Sequence, residues 1–254
     1  MHHSNKPIFQ PHDVDWTTEK VSNFWTFLSN FESFQNLYFS KMVAADLVEY
    51  TQRHVKIAGE ILDFGCGHGF LLKELLKRGI PCKGVDANEK AIAICTARLS
   101  KNPLFKGAFC IKNDMTSIAP QSVDVLFLIE TIEHILENEL TEMLAQILKL
   151  LKRGGMIVVT TPNKENLEAG KTICPECGCI FHKMQHVRSF DVVTLSSLMA
   201  RYGLETIICK ALEFKAPGPI RKKITSSIRK MLFGDNKPPG YKLPHLVYIG
   251  KKSE

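Results

Sequence analysis

The feature that most constrains this chain is a short apolar strand that runs directly into a glycine-rich loop. Ile61-Leu62-Asp63-Phe64 leads into Gly65-Cys66-Gly67-His68-Gly69, and a helical pattern with leucines on one face follows. A strand that turns sharply into a helix presents free backbone N–H groups and the positive end of the helix dipole. Glycines allow a ligand to lie directly on the backbone there. The sequence therefore predicts a nucleotide-like ligand on this loop.

Strands and helices alternate along the rest of the chain. Strands are predicted at 61–64, 82–86, 109–111, 123–129, 156–161, 204–214 and 245–251. The clearest helix between them repeats apolar residues at i, i+3, i+4 and i+7, namely Leu140, Met143, Leu144, Ile147, Leu148 and Leu151, and Gly154-Gly155 is predicted to end it. Such alternation indicates a parallel sheet with helices on both faces. We expect an α/β fold with a mostly parallel, seven-stranded sheet.

The 254 residues suit one main domain with extensions rather than two equal domains. We expect a helical flank or lid at 1–56 and a ligand-binding domain at 57–254, interrupted by insertions at 162–190 and 216–243. No apolar run reaches the roughly 18–20 residues of a membrane-spanning helix, and residues 1–7 lack a signal-peptide layout. A cytoplasmic protein is expected. His2, His3, His12, His54 and His245 receive no functional interpretation.

Two acids sharpen the prediction for the loop. The spacing is G-x-G-x-G, whereas dinucleotide-binding enzymes carry G-x-G-x-x-G. Asp63 precedes the first glycine by two residues, and Asp86 ends the next strand about twenty residues further on, where it can accept hydrogen bonds from both hydroxyls of a ribose. The structural alternative is a tight turn that packs a helix on a strand.

These residues, with Asn113-Asp114-Met115 and Glu130, resemble the motif series of class I S-adenosylmethionine-dependent methyltransferases from about Glu60 to Lys251. The resemblance implies a Rossmann-like fold and S-adenosylmethionine as the cofactor. The implied cofactor-binding residues are Asp63, Gly65, Cys66, Gly67 and Gly69 for the methionine moiety, Asp86 and Ala87 for the ribose, Asp114 and Met115 for the adenine, and Glu130. An aspartate after a strand is also typical of turns, so that role of Asp114 stays open.

A second motif, Glu130-Thr131-Ile132-Glu133-His134, ends the fourth strand. Ligands bind at the carboxyl ends of parallel strands, and two carboxylates with an imidazole offer a general base or the ligands of a divalent metal. The alternative is a pair of acids favoured by a helix dipole. The motif resembles that of ubiquinone-biosynthesis O-methyltransferases and of small-RNA 2′-O-methyltransferases, which implies a catalytic set of Glu130, Glu133, His134 and a later histidine, His186.

Cysteines and histidines crowd the insertion at 162–190. The pattern Cys-x2-Cys-x4-His-x3-His has spacings that can close on tetrahedral zinc, and we predict a structural zinc held by Cys174, Cys177, His182 and His186. Cys179 is an alternative ligand, and free thiols without a metal are the alternative to the site. His186 cannot serve this zinc and an active-site metal with the same nitrogen. The Cys-Pro-x-Cys-Gly pattern also resembles that of bacterial methyltransferases associated with cell-surface or secondary-metabolite pathways.

The formal charge of +7 is spread along the chain except for residues 220–233, where five cationic residues flank an apolar helical face. Such a segment either contacts an anionic membrane peripherally or packs on its own domain. We expect O-methylation of a small-molecule, sugar or lipid-linked acceptor, without nucleic acid as a partner. The alternatives are an RNA 2′-O-methyltransferase, an S-adenosylmethionine-binding adaptor without activity and a zinc-dependent nucleic-acid-binding module. Nothing in the sequence indicates the acceptor or the oligomeric state.

Overall fold

The computed structural model describes residues 9–31, 38–111, 118–214 and 244–253. Asp114, Met115 and the basic segment 220–233 lie outside the described residues, so their predicted roles stay predictions. The helices are α1 Thr18–Asn30, α2 Phe39–Gln52, α3 Phe70–Lys77, α4 Glu89–Leu99, α5 Glu137–Leu150 and α6 Val192–Arg201. The strands are β1 His12–Asp13, β2 Ile61–Phe64, β3 Cys82–Asp86, β4 Phe105–Cys110, β5 Val123–Ile129, β6 Leu151–Pro162, β7 Lys171–Ile173, β8 Cys179–His182, β9 Leu204–Leu212 and β10 His245–Lys252.

The main sheet has seven strands in the order β4-β3-β2-β5-β6-β10-β9, and this confirms the predicted α/β architecture. Its first five strands are parallel, whereas β10 runs antiparallel to both β6 and β9. The central strands β2 and β5 are buried along almost their whole length, which explains their unbroken apolar sequences. The carboxyl ends of β2, β3 and β5 therefore meet at one edge, where a ligand can bind.

Helices cover both faces of the sheet and divide the core in two. On one face the apolar side of α5, including Leu144 and Ile147, packs with α6. On the other face α3 packs with α2, whose Leu47 and Val48 are fully buried. The predicted helical flank at 1–56 therefore contributes α2 to the core, because the apolar stripe of this helix completes that layer.

The α1 helix stays at the surface and lies over the carboxyl edge of the sheet. The Thr18 hydroxyl donates to Glu139 of α5, and the Asn88 amide donates to Thr26 of α1 at 3.2 Å. The indole N–H of Trp25 reaches the 162–190 insertion, where it donates to Gln185 Oε1 at 2.9 Å. These contacts hold α1 against α5, the start of α4 and the insertion, and its role as a lid stays a prediction.

Two local features differ from the sequence prediction. The helix α5 ends at Leu150, and Leu151 already pairs with Val123 of β5 in the sheet. Gly154-Gly155 therefore does not end a helix but lies in β6, at a register irregularity where Gly154 has a φ of +70°. The 162–190 insertion also contains the hairpin β7–β8, to which β1 adds a parallel strand. Among the described residues, no helix combines the length and the apolarity needed to cross a membrane.

Candidate active site

The glycine loop is shaped by its own backbone and by the strand beside it. The N–H groups of Gly65 and Cys66 both donate to Val85 O of β3, at 2.8 and 3.0 Å, which folds the chain back at the end of β2. Gly65 has a φ of +79°, and a Cβ there would lie 2.5 Å from Thr131 Oγ1. Only glycine fits this position, so the backbone of the loop lies open to a ligand.

Asp86 closes the loop from the end of β3. Its Oδ2 accepts the N–H of Gly67 at 2.9 Å, and its Oδ1 accepts the N–H of Asn88 at 2.8 Å. Burial raises the pKa of the Asp86 carboxyl, while the backbone donors act in the opposite direction. Asp86 lines the cavity described below, and its contact with a ribose stays a prediction.

Asp63 has a different position from the one that its motif suggests. It is only 2% exposed beneath the loop, and neither Asp63 nor Gly69 lines the cavity among the described residues. Burial, together with the charge of Asp86, raises the pKa of Asp63 to about 8. A Cβ at Gly69 would lie 2.5 Å from Cys95 Sγ, so this glycine allows α4 to pack against the start of α3. Asp63 and Gly69 therefore pack on the side of the loop that faces away from the cavity.

A cavity of about 1120 Å³ lies above the carboxyl edge of the sheet. Binding pockets for one small ligand are commonly about 300–1,000 Å³, so this cavity has room for a cofactor and an acceptor together. The predicted cofactor-binding residues that line it are Gly65, Cys66, Gly67, Asp86, Ala87 and Glu130. Glu133, His134 and His186 line it as well. The cofactor loop and the predicted catalytic set therefore share one cavity.

Glu130 marks the point where the chain leaves β5. Its φ of +47° is unusual for a residue other than glycine, and such backbone strain is common at functional sites. Its N–H donates to Thr160 O at 3.0 Å, and its Oε2 lies 3.3 Å from His245 Nε2. The other oxygen, Oε1, is buried without a hydrogen-bond partner. His245, which received no functional interpretation from the sequence, is thus part of the site.

Glu133 and His134 follow on a short 3₁₀ turn, Ile132–His134. Glu133 is 1% exposed, and neither of its carboxyl oxygens has a hydrogen-bond partner. Burial and the charge of Glu130 raise its pKa well above the ordinary value. His134 Nε2 lies 3.8 Å from Glu133 Oε1, and burial, with the charge of His186, lowers the pKa of His134. The imidazole is therefore neutral and keeps a lone pair for a proton or a metal ion.

The insertion brings His186 to the same place. One ligand atom each from Glu133, His134 and His186 lies within 4.8 Å of the others, and a second such group consists of Glu165, His182 and His186. His186 Nδ1 lies 2.5 Å from Glu165 Oε2. Burial acts to raise the pKa of Glu165, but the hydrogen bond from His186 and the neighbouring imidazoles lower it overall. Glu165 follows the end of β6, as acids at a ligand-binding edge do, and that was the signal by which the sequence could have revealed it.

The predicted zinc site does not form. His182 pairs with Lys171 at one end of the β7–β8 hairpin, whereas Cys174 N donates to Cys179 O at the other end. The three residue steps from Cys179 to His182 span about 10 Å along a strand, which is too far for shared tetrahedral coordination with Cys174 and Cys177. His182 and His186 instead lie against Glu165. Among the described residues, neither possible metal-binding group contains a cysteine.

Comparisons with known proteins agree with this geometry. Residues 38–208 match the family described as "Methyltransferase domain". Ubiquinone biosynthesis O-methyltransferase from Neisseria meningitidis is 29% identical over 121 residues, which cover 46% of this chain and 50% of that protein. Small RNA 2′-O-methyltransferase from Arabidopsis thaliana is 30% identical over 147 residues, which cover 53% of this chain and 15% of that protein. The chain thus matches about half or less of the length of these curated relatives.

A solved structure shares the fold over the whole chain. It is the Burkholderia thailandensis 1,6-didemethyltoxoflavin-N1-methyltransferase, with bound 1,6-didemethyltoxoflavin and S-adenosylhomocysteine. The two chains are 13% identical, with a TM-score of 0.62, and the match covers 100% of this chain and 98% of the other. At this identity the likeness establishes the fold and no more.

Proposed function

We propose, since this chain belongs to the methyltransferase-domain family of S-adenosylmethionine-dependent enzymes, that it methylates a hydroxyl oxygen of a small acceptor. One observation supports the proposal most directly: the glycine loop and the Glu133–His134–His186 cluster line the same cavity. A methyl donor on the loop and a hydroxyl at the cluster would then lie next to each other. Positioning of this kind supplies much of the rate in bimolecular transfers.

S-adenosylmethionine would lie on the loop between β2 and α3. The backbone at Gly65 and Gly67 would hold the methionine part, and Asp86 with Ala87 would face the ribose. The fit is supported by the space left at Gly65, which a Cβ would remove, and by Asp86, which lines the cavity. Asp63 would support this loop from beneath rather than contact the cofactor.

The reaction needs a deprotonated or polarised hydroxyl. The acceptor oxygen forms a bond to the methyl carbon, the carbon–sulfur bond breaks, and its electron pair stays on sulfur to give S-adenosylhomocysteine. The hydroxyl proton passes to a neutral imidazole nitrogen of the cluster or to water. His134 is unprotonated at neutral pH, because burial lowers its pKa, so it has a lone pair for the proton, although the same shift makes it a weaker base.

The cluster also fits a divalent cation. Buried carboxyl oxygens without partners, as at Glu133 and on Oε1 of Glu130, carry a desolvation cost that a cation would offset. Carboxylate oxygens with imidazole nitrogens are a usual ligand set for such an ion. Glu133, His134 and His186 would hold it, and when bound it would lower the pKa of a coordinated hydroxyl.

A small acceptor is favoured over RNA by the charge of the cavity. The described part of its lining carries seven acidic residues, Glu19, Asp86, Glu130, Glu133, Glu139, Glu142 and Glu165, but one lysine, Lys183. Binding of a polyanion depends on the opposite balance. The likeness to a small RNA 2′-O-methyltransferase supports RNA as a second candidate, through the shared acid–histidine motif. A lipid-linked acceptor and a membrane contact through residues 220–233 stay predictions.

Thermal shift and calorimetry on the purified chain test the proposal. We expect S-adenosylhomocysteine to raise the melting temperature, and Mn²⁺ to bind in a stoichiometric, chelator-reversible manner. Glu133→Gln should bind S-adenosylhomocysteine like the wild type but lose Mn²⁺ binding. Its methyl transfer to a panel of phenols, catechols and sugars should fall by roughly 10²–10⁴-fold.

Glu49→Gln is the matched control, because Glu49 is an exposed acid of α2 that pairs with Arg53. It should leave cofactor binding, Mn²⁺ binding and activity unchanged. Absence of any stabilisation by S-adenosylhomocysteine would overturn the proposal. Cofactor binding without turnover on any acceptor would favour the inactive adaptor, and salt-sensitive RNA binding with RNA methylation would favour the second candidate.

A further inference from the structure

Glu165 lies between two imidazole rings at the edge of the cavity. Its Oε2 is 2.5 Å from His186 Nδ1, and its Oε1 is 3.6 Å from His182 Nε2. The two rings stack, with centroids 4.6 Å apart and an angle of 20° between their planes. His182 is 5% exposed, so this arrangement is largely closed to solvent.

The position of the proton on His182 follows from its backbone contacts. The N–H groups of Met184 and His186 donate to its Nδ1, at 3.3 and 3.2 Å. A nitrogen that accepts hydrogen bonds carries no proton, so the proton of the neutral ring is on Nε2, on the side of Glu165. His182 therefore lacks a lone pair on Nε2 for a metal ion. This argues against a metal site formed by Glu165, His182 and His186, although the three groups lie close together.

The same reasoning applies to His186. Its Nδ1 lies 2.5 Å from Glu165 Oε2, and a glutamate carboxyl ordinarily carries no proton at neutral pH. A carboxylate only accepts hydrogen bonds, so Nδ1 carries a proton, and in the neutral ring Nε2 carries the lone pair. Nε2 is then the ring nitrogen left for Glu133 and His134, whose ring centroid lies 4.8 Å from that of His186.

We propose that Glu165 is a positioning residue that fixes His186 in the tautomer with its proton on Nδ1 and its lone pair on Nε2. His182 supports the arrangement by binding the backbone N–H of His186 and by placing its own N–H toward the carboxylate. Gly170 makes room for it, since a Cβ there would lie 1.8 Å from His182 Nε2. Carboxylate–histidine pairs of this kind orient the ring and raise its basicity toward a metal ion or a proton. The use of the lone pair in catalysis rests on the proposed function, but the tautomer does not.

Nitrogen NMR of ¹⁵N-histidine-labelled protein, without metal or cofactor, reads the tautomer directly. His186→Asn identifies the His186 signals by their loss. We expect wild-type His186 to show a protonated Nδ1 and an unprotonated Nε2 at neutral pH. Glu165→Gln, which keeps the shape but can place an amide N–H against Nδ1, should shift His186 toward a proton on Nε2. Gly170→Ala, which displaces His182 without touching Glu165, should broaden or shift the same signals.

Mn²⁺ titration gives a second readout. Glu165→Gln should weaken Mn²⁺ binding by roughly 10–100-fold, as loss of partners behind a metal ligand generally does. Glu168→Gln is the matched control, since Glu168 lies on the same segment but is exposed and pairs with Lys171. It should leave both the spectrum and the Mn²⁺ affinity unchanged.

The outcomes separate this proposal from the proposed function. A proton on Nε2 of wild-type His186 would overturn the positioning role, and so would a Glu165→Gln spectrum identical to that of the wild type. If the tautomer is as inferred but the wild type binds no Mn²⁺, the positioning role stands and the divalent cation of the proposed function fails.

Discussion

Replacing Asp63 by asparagine isolates the cost of keeping an ionisable carboxyl group beneath the glycine loop. Asparagine has nearly the same shape, so the packing around β2 should be retained. The Asp63 carboxyl is 2% exposed, and burial, with the charge of Asp86, raises its pKa from 3.8 to about 8. The variant removes this titration while leaving Asp86 in place.

The sign and size of the effect follow from linkage. Because the pKa is higher in the folded protein than in the unfolded chain, the folded state holds the extra proton between about pH 4 and pH 8. The free energy of unfolding of the wild type must therefore decrease as pH rises through that window, by at most about 1.4 kcal/mol per pH unit. Between pH 5 and pH 7 this amounts to at most about 3 kcal/mol, a large part of the stability of an ordinary domain.

Urea denaturation at pH 5, 6 and 7 measures this difference. We expect the pH slope of the unfolding free energy to be flatter in Asp63→Asn than in the wild type by on the order of 1 kcal/mol per pH unit. Comparing slopes removes any constant cost of the new amide. Asp124→Asn is the control, because the hydrogen bond from Lys152 lowers the pKa of Asp124, whose contribution is therefore constant above pH 5. Equal slopes in the wild type and Asp63→Asn would refute the reasoning and show that Asp63 ionises as in the unfolded chain.

Two further substitutions probe the loop and the lid. Gly65→Ala should lower the stability by about 1–3 kcal/mol and the affinity for S-adenosylhomocysteine at least about tenfold, because it adds a Cβ 2.5 Å from Thr131 Oγ1 at a φ of +79°. Gly203→Ala is the control, because Gly203 has a φ of +75° but no atom within 4 Å of an added Cβ. Calorimetry on both variants therefore separates the clash from the backbone strain. Equal losses of stability in the two variants would contradict the steric argument. Trp25→Phe keeps a ring beside His134 but removes the donor to the buried Gln185 Oε1, which should cost about 1–3 kcal/mol and lower the melting temperature by several degrees. An unchanged melting temperature would show that α1 is not held to the insertion by this bond.

The sequence predicted the fold well where a pattern lies within one strand or helix, because such a pattern depends only on neighbouring residues. Burial explains the apolar runs of β2 and β5, which are buried on both faces of the sheet. It also explains the spacing of Leu140, Leu144 and Ile147 on the buried face of α5. The glycine loop was predicted with its partner Asp86, since both lie at the ends of adjacent parallel strands. The end of α5 was predicted four residues too late, because Leu151 suits a helix face and a strand equally.

The zinc prediction failed for a reason that spacing cannot reveal. Cys174, Cys177, His182 and His186 have intervals suited to tetrahedral coordination only if the chain between them folds as a compact turn. Here Cys179–His182 is a strand, so the cysteines and the histidines are carried to opposite ends of a hairpin. Secondary structure within the insertion, rather than the order of residues, decides which side chains meet.

The sequence by itself determined the strand–loop–helix unit, the acids at the strand ends and the alternation that places them at one edge of a sheet, because these depend on neighbouring residues and on the geometry of parallel strands. Only the tertiary structure decided that Glu165, His182 and His245 join the cluster, that Asp63 lies beneath the loop and that α1 lines the cavity. These contacts join residues far apart in the chain, and burial then raises the pKa of Asp63 and Glu133 and lowers that of His134. No local pattern records either the distance or the dielectric environment on which that chemistry depends.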